Sequence, residues 1–181
     1  MLFRSSNDTA TVKNGASVTV PFLGNDEGVT GTPVINQGPA HGNFDANTGI
    51  YTPNPGFVGT DSIVYTVCNS FGKCDVAVIY IKVTRPETLD IPQGFSPQGD
   101  GVNDNFVIPG IETYPDNKIT FFNRWGNVVY ETKNYQNNWN GTTNSGLYVG
   151  GEALPIGTYF YILELGVSGK APYKGYVYIN K

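Results

Sequence analysis

A chain of 181 residues with a formal net charge of −4, and with no run of Lys or Arg interleaved with aromatics, lacks the basic face that a nucleic acid requires. Only 14% of residues are charged, whereas Gly (23), Pro (12), Tyr (12) and Phe (10) abound, and no dozen-residue window keeps a helical period free of Gly or Pro. That composition excludes amphipathic helices and predicts short strands joined by tight turns: an all-β chain, long enough for two small domains.

In chain order, residues 9–13 and 16–20 read as strands about Asn14-Gly15, a hairpin signal with a loop of two residues or more. Residues 42–52 read as two further short strands about a turn, and Pro53 to Gly59 as a rigid loop. In the strand over 61–67, Ile63, Tyr65 and Val67 share one face. This strand and the one over 76–83 bracket Cys68 and Cys74. If the two strands pair antiparallel the thiols lie close enough for a disulfide; the alternative is two reduced, buried cysteines. Two thiols and a distant His41 are too few to hold a metal.

A short linker over 85–88, with Pro86 among mixed charges, separates a first domain at 5–84 from a second at 89–181. In the second, residues 89–91 and 106–108 are expected strands. Between them Pro97, Gly99 and Gly101 interrupt any regular element, and Asp100, Asn103 and Asp104 predict a turn held by side-chain-to-backbone hydrogen bonds. A hairpin over 119–130 reverses near Gly126, and residues 142–152 form a polar, Gly-rich exposed loop. A final hairpin joins 158–165 to 173–180. Tyr176 and Tyr178 point to one side and Val177 and Ile179 to the other; alternation alone does not say which side is buried.

Catalytic chemistry has little to build on. His41 is the single histidine and sits in a Gly- and Pro-bounded turn, and there is no nucleophile elbow, phosphate loop or His-x-x-x-His pair. The chain reads as non-enzymatic, with no cofactor required. Ser96, Gln98 and Asp100 open like an EF-hand loop, but its twelfth position is Val107 rather than a bidentate Glu. A different oxygen site for calcium, using Asp100, Asn103 and Asp104, stays open beside the turn-scaffold alternative. Arg124 and Trp125, with Trp139, are the candidate partner-binding residues, by analogy with the Arg and Trp anchors of protein interfaces. A tryptophan near a turn can equally be a core plug.

Four ordered stretches, residues 95–111, 119–130, 154–161 and 175–181, together resemble the gliding motility-associated C-terminal domain, the type B sorting domain of the type IX secretion system. The segment ending Trp139-Asn140-Gly141 resembles that family's Trp-Asp-Gly corner, with Asn140 in the usual Asp position, and Gln98 stands where Asn is usual. Asn7-Asp8, Pro39 to Gly42, residues 51–67 and residues 76–83 look like one Ig-like or cadherin-like repeat of bacterial surface proteins. Its Asn25-Asp26-Glu27 loop is shorter than the calcium loops of such repeats.

The resemblance implies two Ig-like antiparallel β-sandwich domains in tandem at the end of a large, SprB-like gliding adhesin. It implies recognition by type IX translocon components and a SprF-like outer-membrane partner, and delivery to the cell surface. An exported setting favours the disulfide. Residues 1–6 lack the apolar core of a signal peptide and no run of 18 or more apolar residues spans a bilayer, so the expectation is a C-terminal piece of a longer exported protein rather than a cytoplasmic one. The alternative function is a carbohydrate-binding or adhesive surface module.

Overall fold

The structure, a computed structural model, describes residues 3–145 and 153–180. The part of the expected polar loop at 146–152 lies outside the described residues, as do Met1, Leu2 and Lys181. The chain divides into two compact units, Met1–Glu87 and Thr88–Lys181, both built from strands.

In the first unit β1 (Asp8–Lys13), β3 (Val34–Gln37), β6 (Gly59–Cys68) and β7 (Cys74–Thr84) form a sheet of order β1-β7-β6-β3. A smaller sheet of order β2-β5-β4 comprises β2 (Val18–Thr19), β4 (Gly42–Asp45) and β5 (Ile50–Pro53). Period-two alternation decides what is buried. Ile63, Tyr65 and Val67 of β6 lie beside Ala77, Ile79, Ile81 and Val83 of β7 in a core completed by Val12, Val20, Phe22 and Tyr51. Cys68 and Cys74 face each other as the last register pair of the β6–β7 hairpin and are joined by a disulfide.

The Asn14-Gly15 hairpin is not formed. β1 pairs parallel with β7, β2 pairs with β5, and the chain between them crosses from one sheet to the other. The cause is Asn14, which is buried: its amide donates to the Asn54 and Phe57 carbonyls and accepts from the Gly56 N–H. Asn14 and Gly15 (φ 89°) still make a turn, closed by the Ala16 N–H on the Lys13 carbonyl, but with Asn14 tied to the loop at residues 54–57 the strand that follows pairs with β5 instead of folding back on β1. His41 is the expected turn residue. Its backbone N–H binds the buried Asp61 carboxylate, and its ring stacks on Phe57 at 4.2 Å.

The second unit has a single sheet among the described residues, of order β10-β9-β11-β12-β8. Its strands are β8 (Gly94–Phe95), β9 (Lys118–Phe122), β10 (Val128–Lys133), β11 (Gly157–Glu164) and β12 (Tyr173–Ile179). All neighbours are antiparallel except β12 and β8. Val177 and Ile179 face the core with Ile119, Phe121, Tyr159, Tyr161 and Leu163, while Tyr176 and Tyr178 face outward. Gly175 is required opposite Tyr161, because a Cβ there would lie 2.5 Å from the phenol oxygen.

The layer packed on this inner face is irregular. Residues 89–91 and 106–108, expected as strands, form none; instead Leu89, Phe106, Ile108, Ile111, Tyr114 and Tyr135 enter the core from loops and a 3₁₀ turn at Ile111–Thr113. Side chains and scattered backbone bonds replace the missing ladder. Ile108 N–H donates to Asn137 Oδ1, Phe106 N–H to the Trp139 carbonyl, and Tyr135 Oη to the Phe106 carbonyl. Asn117, fully buried, accepts the Tyr135 N–H and donates to the Tyr114 and Tyr135 carbonyls.

Trp139 is the plug of this layer. It is 1% exposed, stacks on Phe121 at 3.8 Å, touches Phe95, Phe106 and Tyr130, and donates its indole N–H to the Thr142 carbonyl. Replacing it with Ala removes the largest fully buried side chain and is expected to destabilise the second unit by about 3–5 kcal/mol. Urea denaturation followed by aromatic circular dichroism reads this; a loss below about 1 kcal/mol contradicts the packing described.

Candidate functional site

Outside the cores, two local devices stand out in the second unit. The first is the polar turn over residues 96–104. Asp104 is its hub: one carboxylate oxygen accepts the backbone N–H groups of Gln98 (3.1 Å) and Gly99 (2.6 Å), the other that of Gly101 (2.7 Å). Asp100 accepts the Val102 N–H at 2.8 Å and the Gln98 side-chain amide at 2.9 Å. Gln98 thus acts as a brace. Asn103 takes the left-handed conformation (φ 54°), and its carbonyl accepts the Ser96 N–H.

The turn therefore aims its backbone amides at a carboxylate, and those N–H groups hold the Asp104 carboxyl below its ordinary pKa. Among the described residues no group of three or more His, Cys, Asp or Glu side chains is placed to hold a metal ion. Asp100 and Asp104 are brought together around the turn's own donors, the arrangement of an Asx scaffold. Asn140 lies beside them, lining a shallow hollow with Gln98, Gly99 and Asp104.

The second device is the β9–β10 hairpin tip. Asn123 Oδ1 accepts the N–H groups of Trp125 and Asn127, each at 3.0 Å; Asn123 N–H binds the Asn127 carbonyl and Gly126 N–H the Asn123 carbonyl. Gly126 supplies the left-handed residue that closes the loop (φ 81°). Trp125 is left 66% exposed, with the Arg124 guanidinium 4.1 Å from its ring centroid. The β6–β7 tip of the first unit repeats the pattern bond for bond: Asn69 Oδ1 accepts from Phe71 and Lys73, Gly72 has φ 75°, and Phe71 is 90% exposed. The shared signal, Asn-x-aromatic-Gly, stands in both strings and is missed when each hairpin is read alone.

Of the candidate partner-binding residues, Arg124 and Trp125 are thus brought together at an exposed, pre-shaped tip. Trp139 is not available to a partner: it is core, because its ring fills the space over Phe121 that no strand covers. Of the two faces that alternation left open for β12, the one bearing Tyr176 and Tyr178 is the exposed one; sequence reading missed Phe160, which stands on the same face from β11.

Two measurements test this geometry. Because the Asp104 carboxyl is held low by bonds made only in the folded state, its stabilising contribution is present above the ordinary carboxylate pKa and is lost as pH falls through the depressed one. The amide proton shifts of Gly99 and Gly101 should titrate together with a midpoint below the usual Asp range of about 3.9; a midpoint at or above it contradicts the hub. Trp125→Ser, by contrast, should change stability by no more than about 0.5 kcal/mol in urea denaturation, as expected of an exposed tip.

The comparisons with known proteins agree with this division. The family model described as CHU_C Type IX secretion signal domain matches residues 89–179, and that described as Bacterial Ig domain matches residues 4–82. No curated protein matches the chain by sequence. Among solved structures, protocadherin gamma B2 extracellular cadherin domains 3–6 are 12% identical (TM-score 0.34; 98% of this chain, 46% of that one). Sidekick-1 immunoglobulin domains 1–4 are 11% identical (TM-score 0.28; 98% and 50%). Latent PorU from Porphyromonas gingivalis is 13% identical (TM-score 0.29; 77% and 14%). The chain spans half or less of each of these structures, and similarity at such TM-scores carries no functional argument. A family match over half of the chain does: a β unit at 89–179, behind a bacterial Ig domain, belongs to the CHU_C type IX secretion signal domain family.

Proposed function

We propose that the second unit is a C-terminal address that takes a large, gliding adhesin-like surface protein through the type IX secretion system and delivers it to a SprF-like outer-membrane partner. In this reading the Ig unit is the last spacer of a stalk. The observation that carries the proposal is the match of residues 89–179 to a type IX secretion signal family; neither matched family is one of enzymes. Membership implies export to the cell surface or beyond it, and no helix among the described residues is long and apolar enough to cross a membrane.

The fold supports an address that works by surface rather than by chemistry. Its recognition elements are rigid: the polar turn is fixed by Asp104, and the β9–β10 tip by Asn123 and Gly126. Rigid loops lose little conformational entropy when bound. Arg124 and Trp125, a charge stacked on a large ring, are the side chains best suited to anchor the translocon contact.

The test is a periplasm-directed reporter ending either in residues 1–181 or at Glu87, expressed in a host with and without a working type IX system. The full tail should bring the reporter to the cell surface only when the system is intact, and the tail ending at Glu87 should leave it in the periplasm. Equal surface delivery of the two fusions overturns the proposal.

A further inference from the structure

The outer face of the second unit's sheet has not been assigned a role. Phe122, Phe160 and Tyr176 occupy one register row across β9, β11 and β12, so their side chains stand side by side on neighbouring strands about 4.8 Å apart. Phe160 and Tyr176 are 47% and 46% exposed, and Tyr178, one step along β12 on the same face, is 44% exposed. A run of exposed rings on a sheet that is already covered on its other side has no structural need: the aliphatic and aromatic residues that stabilise the unit point the opposite way.

The surroundings say what such a row would hold. The groove over Phe122, Phe160 and Tyr176 is lined also by Arg124 and Lys174, and by no carboxylate, in a chain whose net charge is −4. The acids of this face lie at its other end. There Glu131 is bonded to Lys118 at 3.0 Å, and Glu164 stands opposite the same lysine in register. The groove is thus locally cationic on an acidic protein, which selects an anionic occupant.

Geometry narrows the choice further. β9 and β11 are interior strands with both edges paired, so their main chain has no donors or acceptors left to add a peptide strand. An occupant of this face is gripped by ring faces, by two cations and by the polar Tyr176 hydroxyl, itself 3.2 Å from Gln93 Oε1. Flat, repeated units with apolar ring faces and acidic substituents satisfy all three demands, and these are the units of an anionic polysaccharide.

We infer that the outer face of the β9–β11–β12 sheet, through Phe122, Phe160, Tyr176, Arg124 and Lys174, binds an anionic polysaccharide. This face shares Arg124 with the contact proposed for export, but binding is read on the purified chain and delivery in cells, so failure of one and failure of the other are separate results.

The experiment uses the purified 181-residue chain and isothermal titration with polygalacturonate and dextran sulfate, against uncharged dextran and poly-L-glutamate. The expected result is binding of at least one anionic polysaccharide, with dextran and poly-L-glutamate each about tenfold weaker or more. Phe160→Ser with Tyr176→Ser should lower the affinity at least about tenfold, and Arg124→Gln with Lys174→Gln should lower it and flatten its dependence on salt. Phe71→Ser, on the other unit, should change nothing. If the aromatic double variant does not fold by circular dichroism, the Arg124→Gln, Lys174→Gln pair, both exposed positions, decides alone. Failure of both anionic polysaccharides to bind, equal binding of poly-L-glutamate, or unchanged affinity in the deciding variant overturns the inference.

Discussion

The second unit depends on one burial: the Trp139 ring lies flat on Phe121 where an ordinary sandwich would place a second sheet. A loop layer over a hydrophobic face faces the problem that its main-chain N–H and C=O groups lose water without gaining a ladder. Here they are met partly by local backbone turns and partly by specific side chains. Asn117, Tyr135 and Asn137 bond the carbonyls and amides of residues 106–117 and 135, and Trp139 contributes its own carbonyl and indole N–H. Such bonds contribute about 0.5–1.5 kcal/mol each when made and cost more when broken in a buried place, so the layer holds as a unit. Burial also pushes the Tyr135 phenol far above the usual tyrosine range, which keeps its hydroxyl a donor at any physiological pH.

That constraint explains where the sequence was legible and where it was not. Strands whose neighbours are strands were visible: β6 and β12 from period-two patterning, and β7, β9 and β11 as apolar runs bounded by turns. Residues 106–108 show the same apolar character yet form no strand, because their partners are the side chains of an Asn and a Tyr some 29 residues away, which no local pattern reports. Asn14-Gly15 misled for a related reason. The turn itself forms, but its buried Asn is bonded to residues 54–57 and the strand after it joins the other sheet, so a true turn signal did not mean a hairpin. β3 carries too weak an alternation to be seen at all, with Val34 exposed.

Of the candidate site, the polar turn was readable because Asx chemistry is local: donors and acceptors lie within six residues of one another. Whether a tryptophan is a plug or an anchor was not readable. Trp125 and Trp139 sit in similar polar, Gly-containing contexts, and only tertiary packing separates 66% exposure from 1%. The repeated tip, by contrast, was present in the sequence twice. In both units an Asn that caps two amides and a left-handed Gly project one aromatic outward, a device that costs little conformational entropy when it meets a surface.

An address read by shape requires that the shape exist, and it links the buried plug to export. The most direct measurement is the surface delivery of a reporter ending in residues 1–181 when that tail carries Trp139→Ala, compared with Trp139→Phe and with the unaltered tail, each fusion's folded fraction being measured alongside. Delivery should fall with the folded fraction, most for Ala and less for Phe. Full delivery by a tail whose second unit is unfolded would contradict the account.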